Sequence, residues 1–282
     1  MDLKTYLIHF QALSPLDKKK ELATVDIQNN LIDHMLIHIG SPDPQLRDTF
    51  IYSTWCDLIG SIDWLSQEQL LYILNKVTDE HHLFYNIDLP TNDSVFTRSF
   101  SLLVIPLLLE HHKQKPFLPT EQLKQLCDTV IRYLQTEQDI RGHITDKGWA
   151  HAIAHGADAL ESLASCSLPY EQYVQILHTI GDVVSRYETY THLEEERLAT
   201  ALTTLLTQSR LHSDDWNRWL DHLIHWKMTS QYEREYQRIS NVKNILSSLY
   251  FRLDRSDALN PAQNPWMESI KQHIHLLMKP VL

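Results

Sequence analysis

Glycine is scarce in this chain, with six residues in 282, against about 20 at average usage. No glycine-rich loop of the P-loop or dinucleotide-binding type is present, so neither phosphate cradle is expected. Cysteine is limited to Cys56, Cys127 and Cys166, an odd number set far apart. That spacing offers no zinc pattern and suits a reducing compartment. Basic residues are outnumbered, 25 Lys and Arg against 36 Asp and Glu, for a net charge of −11. A general nucleic-acid binder needs a basic surface, so nucleic acid is not an expected partner, although a local basic groove would fit the total. Long apolar runs are also missing. The longest, Leu102 to Leu109, is interrupted by Pro106, whereas a membrane span needs about 20 apolar residues. It reads as a buried helix kinked near Pro106, with no membrane span. The opening Met-Asp-Leu-Lys-Thr-Tyr lacks a basic start followed by an apolar core. No secretory signal is therefore read, and a cytoplasmic protein is expected.

What the chain has in abundance is Leu, Gln, Glu and Lys, with apolar residues at helical spacing behind capping residues. Ser41-Pro42-Asp43-Pro44 predicts a helix running to Gly60, and Ser66-Gln67-Glu68-Gln69 another to Thr78. Asn92-Asp93 opens a long helix through Glu110, with Asp93 as its cap, and Pro119-Thr120-Glu121 opens its follower. Asp146 would cap the next helix, and Pro169 starts the one after it. Further helices are expected from Leu193, from Ser213, from Tyr232 to Leu253, and after Asn264-Pro265. No segment alternates as a strand should.

The first helices of successive pairs are predicted to begin near residues 43, 93, 146, 193 and 232. Intervals of roughly 40 to 50 residues are the period of two-helix solenoid repeats. The expected fold is all-α: an α-α superhelix of stacked helical hairpins, HEAT-like, as a single domain over residues 1–282. Residues 1–40 would supply capping helices and residues 41–282 about five hairpins. A closed α/α toroid would give a similar sequence and stays open as the alternative.

The stretch Arg141 to Leu160 is the most informative. Read as helix, it places His151, His155 and Asp158 at i, i+4 and i+7 on one face, with Trp149, Ile153 and Leu160 opposite. Two imidazoles and a carboxylate on adjacent turns are a candidate metal set, with a fourth ligand from His143 or Glu195. Ala152 occupies the general-base position of the zinc-protease helix, so that signature is absent. Histidine numbers 17, enough to produce about one i, i+4 pair by chance. The chain has two, His34/His38 and His151/His155, so the pairing itself carries no information.

The first helices of the other pairs carry charges as well: Arg47 and Asp48, Asp93 and Arg98, Glu194 to Arg197, and Arg238, Asn241, Lys243 and Asn244. If first helices form the inner layer, these groups converge on one concave groove. Asp93, Asp158 and Glu195 could approach one another there as paired carboxylates. The competing structural reading has Asp93 capping its helix and Asp158 paired with Arg98 or Arg197. Ser94 and Ser99 lack a nucleophile-elbow context. Arg238, Asn241 and Asn244 share a face of a long helix, and amides are poor helix formers. They point to specific hydrogen bonds, structural ones before ligand ones.

Asp93-Ser-Val-Phe-Thr-Arg-Ser-Phe-Ser101, Gly148-Trp-Ala-His-Ala-Ile-Ala-His-Gly-Ala-Asp158, Glu196-Arg197-Leu198 and Asn241-Val-Lys-Asn244 together resemble the bacterial domain-of-unknown-function 2785 family, over about Arg47 to Phe251. The resemblance implies that these motifs belong to one recurrent unit, and it implies no activity, substrate or cofactor. Two functions are expected to compete. One is a binding or scaffold protein whose groove holds a peptide or small anionic ligand, with Arg47, Arg98, Arg197 and Arg238 receiving its oxyanion. The other is an enzyme, hydrolase-like and metal-assisted in one version, with His151, His155, Asp158 and Glu195 around a pocket. Trp149, Asn241 and Lys243 complete the candidate ligand-binding set.

Overall fold

The computed structural model describes residues 2–89, 91–225, 231–255 and 264–279. Helix makes up 71% of it, so the fold is all-α. The helices are α1 (Leu3–Ala12), α2 (Pro15–Glu21), α3 (Val25–Ile37), a π-helix (Gln45–Ile51) running into α4 (Tyr52–Gly60), α5 (Gln67–Val77), α6 (Ser94–Gln114) and α7 (Thr120–Thr136). They continue as α8 (Ala152–Ala164), α9 (Tyr170–Val184), α10 (Glu194–Thr207), α11 (Ser213–Ile224), α12 (Tyr232–Asp254) and α13 (Pro265–Met278). Among the described residues the one sheet is an antiparallel hairpin, β1 (His143–Ile144) and β2 (Gly148–Trp149), pairing His143 with Trp149. Strands this short leave no alternation to read in the sequence.

Side-chain caps account for several helix starts. Ser66 and Gln69 form a reciprocal capping box on α5, which satisfies two otherwise orphaned donors. Ser14, Thr24 and Asn264 cap α2, α3 and α13 through their side chains. Three expectations need correction. The predicted helix from Ser41 to Gly60 opens as a π-helix, closed by the Tyr52 N–H donating to the Arg47 carbonyl, a geometry frequent at functional sites. Asp93 makes no capping bond; the Asn92 side chain accepts the Ser94 N–H at 2.7 Å instead. Asp146 lies in the hairpin turn at φ +65°, and the helix it was to cap begins later, at Ala152.

The chain forms two compact units, Met1–Pro119 with Thr136–Ala159, and Thr120–Gln135 with Leu160–Leu282. In the first, α3 packs on α5 and α4 on α6, while α1 lies against the π-helix. In the second, α9 packs on α11, α11 on α13, and α10 on α12. Within each unit several helices thus pack on the next but one, and α5 on α6, α9 on α10 and α12 on α13 pack as sequence neighbours.

α6 is the core helix of the first unit. Val95, Phe96, Leu102, Val104, Ile105, Leu108 and Leu109 have no exposed surface. The helix continues through Pro106 and, at 21 residues, is long and apolar enough to cross a membrane, which the apolar run alone had not suggested; 72% of its most apolar window is buried inside the protein. Gly40 lets the chain after α3 approach it, since a Cβ there would lie 2.7 Å from the Thr97 backbone.

Candidate functional site

Arg47, in the π-helix, has no exposed surface. Its guanidinium lies 4.1 Å from the Phe96 ring centroid and 4.7 Å from that of Phe100. Nη1 donates to the Ser41 carbonyl at 2.6 Å and Nη2 to the Lys147 carbonyl at 2.7 Å, while Nε stands 2.7 Å from Asp48 Oδ1. Burial lowers its pKa and the Asp48 charge opposes the change; arginine starts so high that it stays charged. The residue predicted to receive a ligand oxyanion instead ties the hairpin to the π-helix from inside. Gly148 permits the approach: it has φ +77°, and a Cβ there would lie 2.8 Å from Pro44 Cβ and 3.1 Å from Arg47 Nη2. On the outer side Lys147 Nζ reaches both Asp93 oxygens, at 2.9 and 2.7 Å.

The hairpin presents a row of rings. His143 meets Trp149 edge-on at 4.9 Å, and Trp149 lies over His151 at 4.2 Å and 31°. His151 meets His155 at 5.9 Å, and His155 meets Phe100 at 5.3 Å. The row runs from solvent to core. His143 is exposed, Trp149 is 40% exposed, His151 is half-buried and His155 is buried. His155 Nδ1 stands 3.0 Å from the Ser99 carbonyl, an acceptor, so that nitrogen carries the proton. The half-buried Asp48 carboxyl borders the same face. It accepts the Trp149 backbone N–H and feels Arg47 and His143, yet burial is the largest influence and raises its pKa.

His151 therefore reaches His155 by a different route from the one predicted. It precedes α8 at φ +48°, and its carbonyl accepts the His155 N–H at 2.9 Å. Asp158 is half-buried on α8. Among the described residues no three His, Cys, Asp or Glu side chains are gathered as a metal would require, so His151, His155 and Asp158 do not form the candidate metal set. Arg98, also predicted to face a ligand, is 2% exposed. Its Nε and Nη2 donate to the two oxygens of buried Glu137 at 2.6 and 2.8 Å, and Nη1 donates to Ser94 Oγ at 2.6 Å and the Tyr85 carbonyl at 3.1 Å. The sequence reading missed Glu137, which follows α7 in no recognisable motif.

The second unit holds the remaining candidates. Asn241 Nδ2 donates to the Glu188 carbonyl at 2.7 Å and its Oδ1 accepts the Tyr190 N–H at 3.3 Å, the structural bonding expected of it. Arg238 is buried and its pKa is lowered by that burial; Arg197 is exposed and Lys243 half-buried. Glu195 is 9% exposed, and its Oε2 is buried with no hydrogen-bond partner. Its pKa is raised by burial and by Glu194 and Glu196, against a hydrogen bond with Asn244. Burial pushes the Cys127 thiol up to about 12, so it offers no thiolate near neutral pH.

Fold and site together define an all-α protein with a solvent-facing histidine–tryptophan hairpin braced by a buried arginine. The chain belongs to the family described as protein of unknown function (DUF2785), whose model matches residues 83–251. The match takes in the hairpin, Arg98, Glu195 and Asn241, while Arg47 lies outside it. No curated protein and no solved structure matches the chain.

Proposed function

We propose that the protein is a binding protein whose ligand, a peptide segment or small polar molecule with a flat group, stacks on Trp149. The observation that carries this reading is an indole left 40% exposed yet gripped by His143 and His151. Its strand is bonded from below to a fully buried arginine. Burying an arginine is costly, and an aromatic held in place loses little entropy when a ligand arrives. His143 and the Asp48 carboxyl supply polar contacts beside the ring. With Arg47 and Arg98 engaged inside the first unit, the preference for an anion has less support here than the sequence suggested. The next-but-one packing within each unit supports stacked hairpins of the superhelical type as the architecture.

The test is saturation-transfer NMR of a fragment library against the wild type and Trp149→Ala. The reading expects a group of planar fragments that bind the first and not the second. It fails if every fragment that binds does so equally to both.

An enzymatic reading rests on Glu195, whose orphaned, buried Oε2 and raised pKa suit a general acid. Its test is the pH dependence of the stability of Glu195→Gln.

A further inference from the structure

The hairpin leaves a feature of the second unit unexplained. Ser247, Ser248, Phe251 and Arg252 of α12 and Arg255 at its C-terminal cap follow one another at the spacing of a single helix face. With Glu196 and Thr203 of α10 they line a cavity of about 630 Å³. Ser247 and Phe251 also line a smaller one of about 270 Å³, together with Tyr250 and with Lys271 and Ile274 of α13. Phe251, 58% exposed, is thus a ridge between a polar hollow and an apolar one.

The charges are one-sided. Arg252 donates to Glu196 Oε2 from Nε at 3.3 Å and from Nη2 at 2.9 Å, and Ser248 Oγ donates to Glu196 Oε1 at 2.5 Å. Glu196 is satisfied by these bonds, and its pKa is lowered accordingly. Arg255 lines the same hollow and Lys271 the smaller one, so the residues lining the two hollows together include three cations and one carboxylate, on a chain of net charge −11. Cations at a helix C-terminus are favoured by the helix dipole, which explains Arg252 and Arg255 singly. It explains neither Lys271, which belongs to another helix, nor an exposed phenyl ring set between two hollows.

We propose that this two-lobed surface binds a small organic oxyanion carrying an apolar group. The phosphate or carboxylate sits between the Arg255 fork, which matches either anion, and Arg252 Nη1, the guanidinium nitrogen that its bonds to Glu196 do not use, with the Ser247 hydroxyl as a further donor. The apolar part lies across Phe251 toward Tyr250 and Ile274. Thr203 and Ser248 line the site without donating to the anion, because their hydroxyls already donate to the Ala199 carbonyl and to Glu196.

The test is a titration of the full-length protein, followed by backbone amide NMR, with phenyl phosphate and with inorganic phosphate. The expected result is that phenyl phosphate shifts the Ser247–Arg255 amides and binds at least about tenfold tighter than inorganic phosphate. Arg255→Glu should weaken both by at least about tenfold. Phe251→Ala should bring phenyl phosphate down to the level of inorganic phosphate and leave the latter unchanged. Trp149→Ala should alter neither. Equal affinity for the two probes, or shifts indifferent to Arg255→Glu, would overturn the proposal. So would binding seen only with vesicles of an anionic phospholipid and not with phenyl phosphate. All three substitutions replace exposed side chains, so folded variants are expected, and far-UV circular dichroism checks this.

Discussion

Replacing Arg47 by Met removes the charge while keeping much of the volume, and its cost follows from the bonds it makes. The carbonyls of Ser41 and Lys147 lose charged donors at 2.6 and 2.7 Å, each worth about 1.5–3 kcal/mol. Asp48 loses its partner, but its side chain is 29% exposed and water recovers part of the loss. Met keeps apolar contact with Phe96 and Phe100 and loses only the cation–π component, about 1 kcal/mol or more for a desolvated arginine. A net destabilisation of about 3–5 kcal/mol is expected, in the range for breaking a buried pair from one side. Arg47→Lys, which keeps the charge but not the fork, should cost about half as much. Urea denaturation followed by circular dichroism measures the total. Hydrogen exchange locates it, with the Ala150 amide, bonded to the Gly142 carbonyl at 2.8 Å, and the His151 amide, bonded to the Arg141 carbonyl at 3.1 Å, losing protection first. A change below about 0.5 kcal/mol, the usual size for an uninvolved surface residue, with hairpin protection intact would refute the reasoning.

Glu137→Gln leaves Arg98 buried against a neutral partner, and urea denaturation should show a loss of about 3–5 kcal/mol. Gly148→Ala should lower Tm through its positive φ and contact with Pro44, at about 1–3 kcal/mol. Gly60→Ala, with nothing within 4 Å of the new methyl, should be neutral or raise Tm slightly. Glu195 has a raised folded-state pKa, so the folded protein holds its proton more tightly than the unfolded chain does. Its contribution is fully present below the ordinary glutamate value near ~4.3 and is lost as pH rises through the raised value. Glu195→Gln should therefore match the wild type at low pH and become the more stable of the two as pH rises toward neutral. A stability difference that does not vary with pH would mean the carboxyl is not perturbed, and with it the general-acid reading would go.

Much of the helical layout was legible because caps and periodicity act locally. Helices were predicted near residues 93, 193 and 232, and α6, α10 and α12 open at Ser94, Glu194 and Tyr232. The hairpin escaped because strands of two residues leave no alternation, so His151 was read as helical when it precedes α8 at positive φ. The arginines were recognised as unusual, but their direction was not readable. Arg98 turns inward to Glu137, and Arg47 turns inward to carbonyls some 100 residues away. Side-chain direction depends on partners brought together by tertiary structure, and nothing in the spacing announces them. Asn241 makes the structural hydrogen bonds that one of its two readings expected, because an amide in a helix interior needs a partner to justify it, and its place in the candidate ligand-binding set draws no support from them.

Binding at Trp149 requires the hairpin to offer the indole to solvent as a fixed platform. The most direct measurement is ¹⁵N relaxation of the Trp149 indole N–H, assigned by its loss in Trp149→Phe. An order parameter near that of rigid backbone, about 0.85, is expected in the wild type, falling below about 0.6 in Arg47→Met. A wild-type value below about 0.6 would contradict it, because an indole that swings freely is no preformed binding surface.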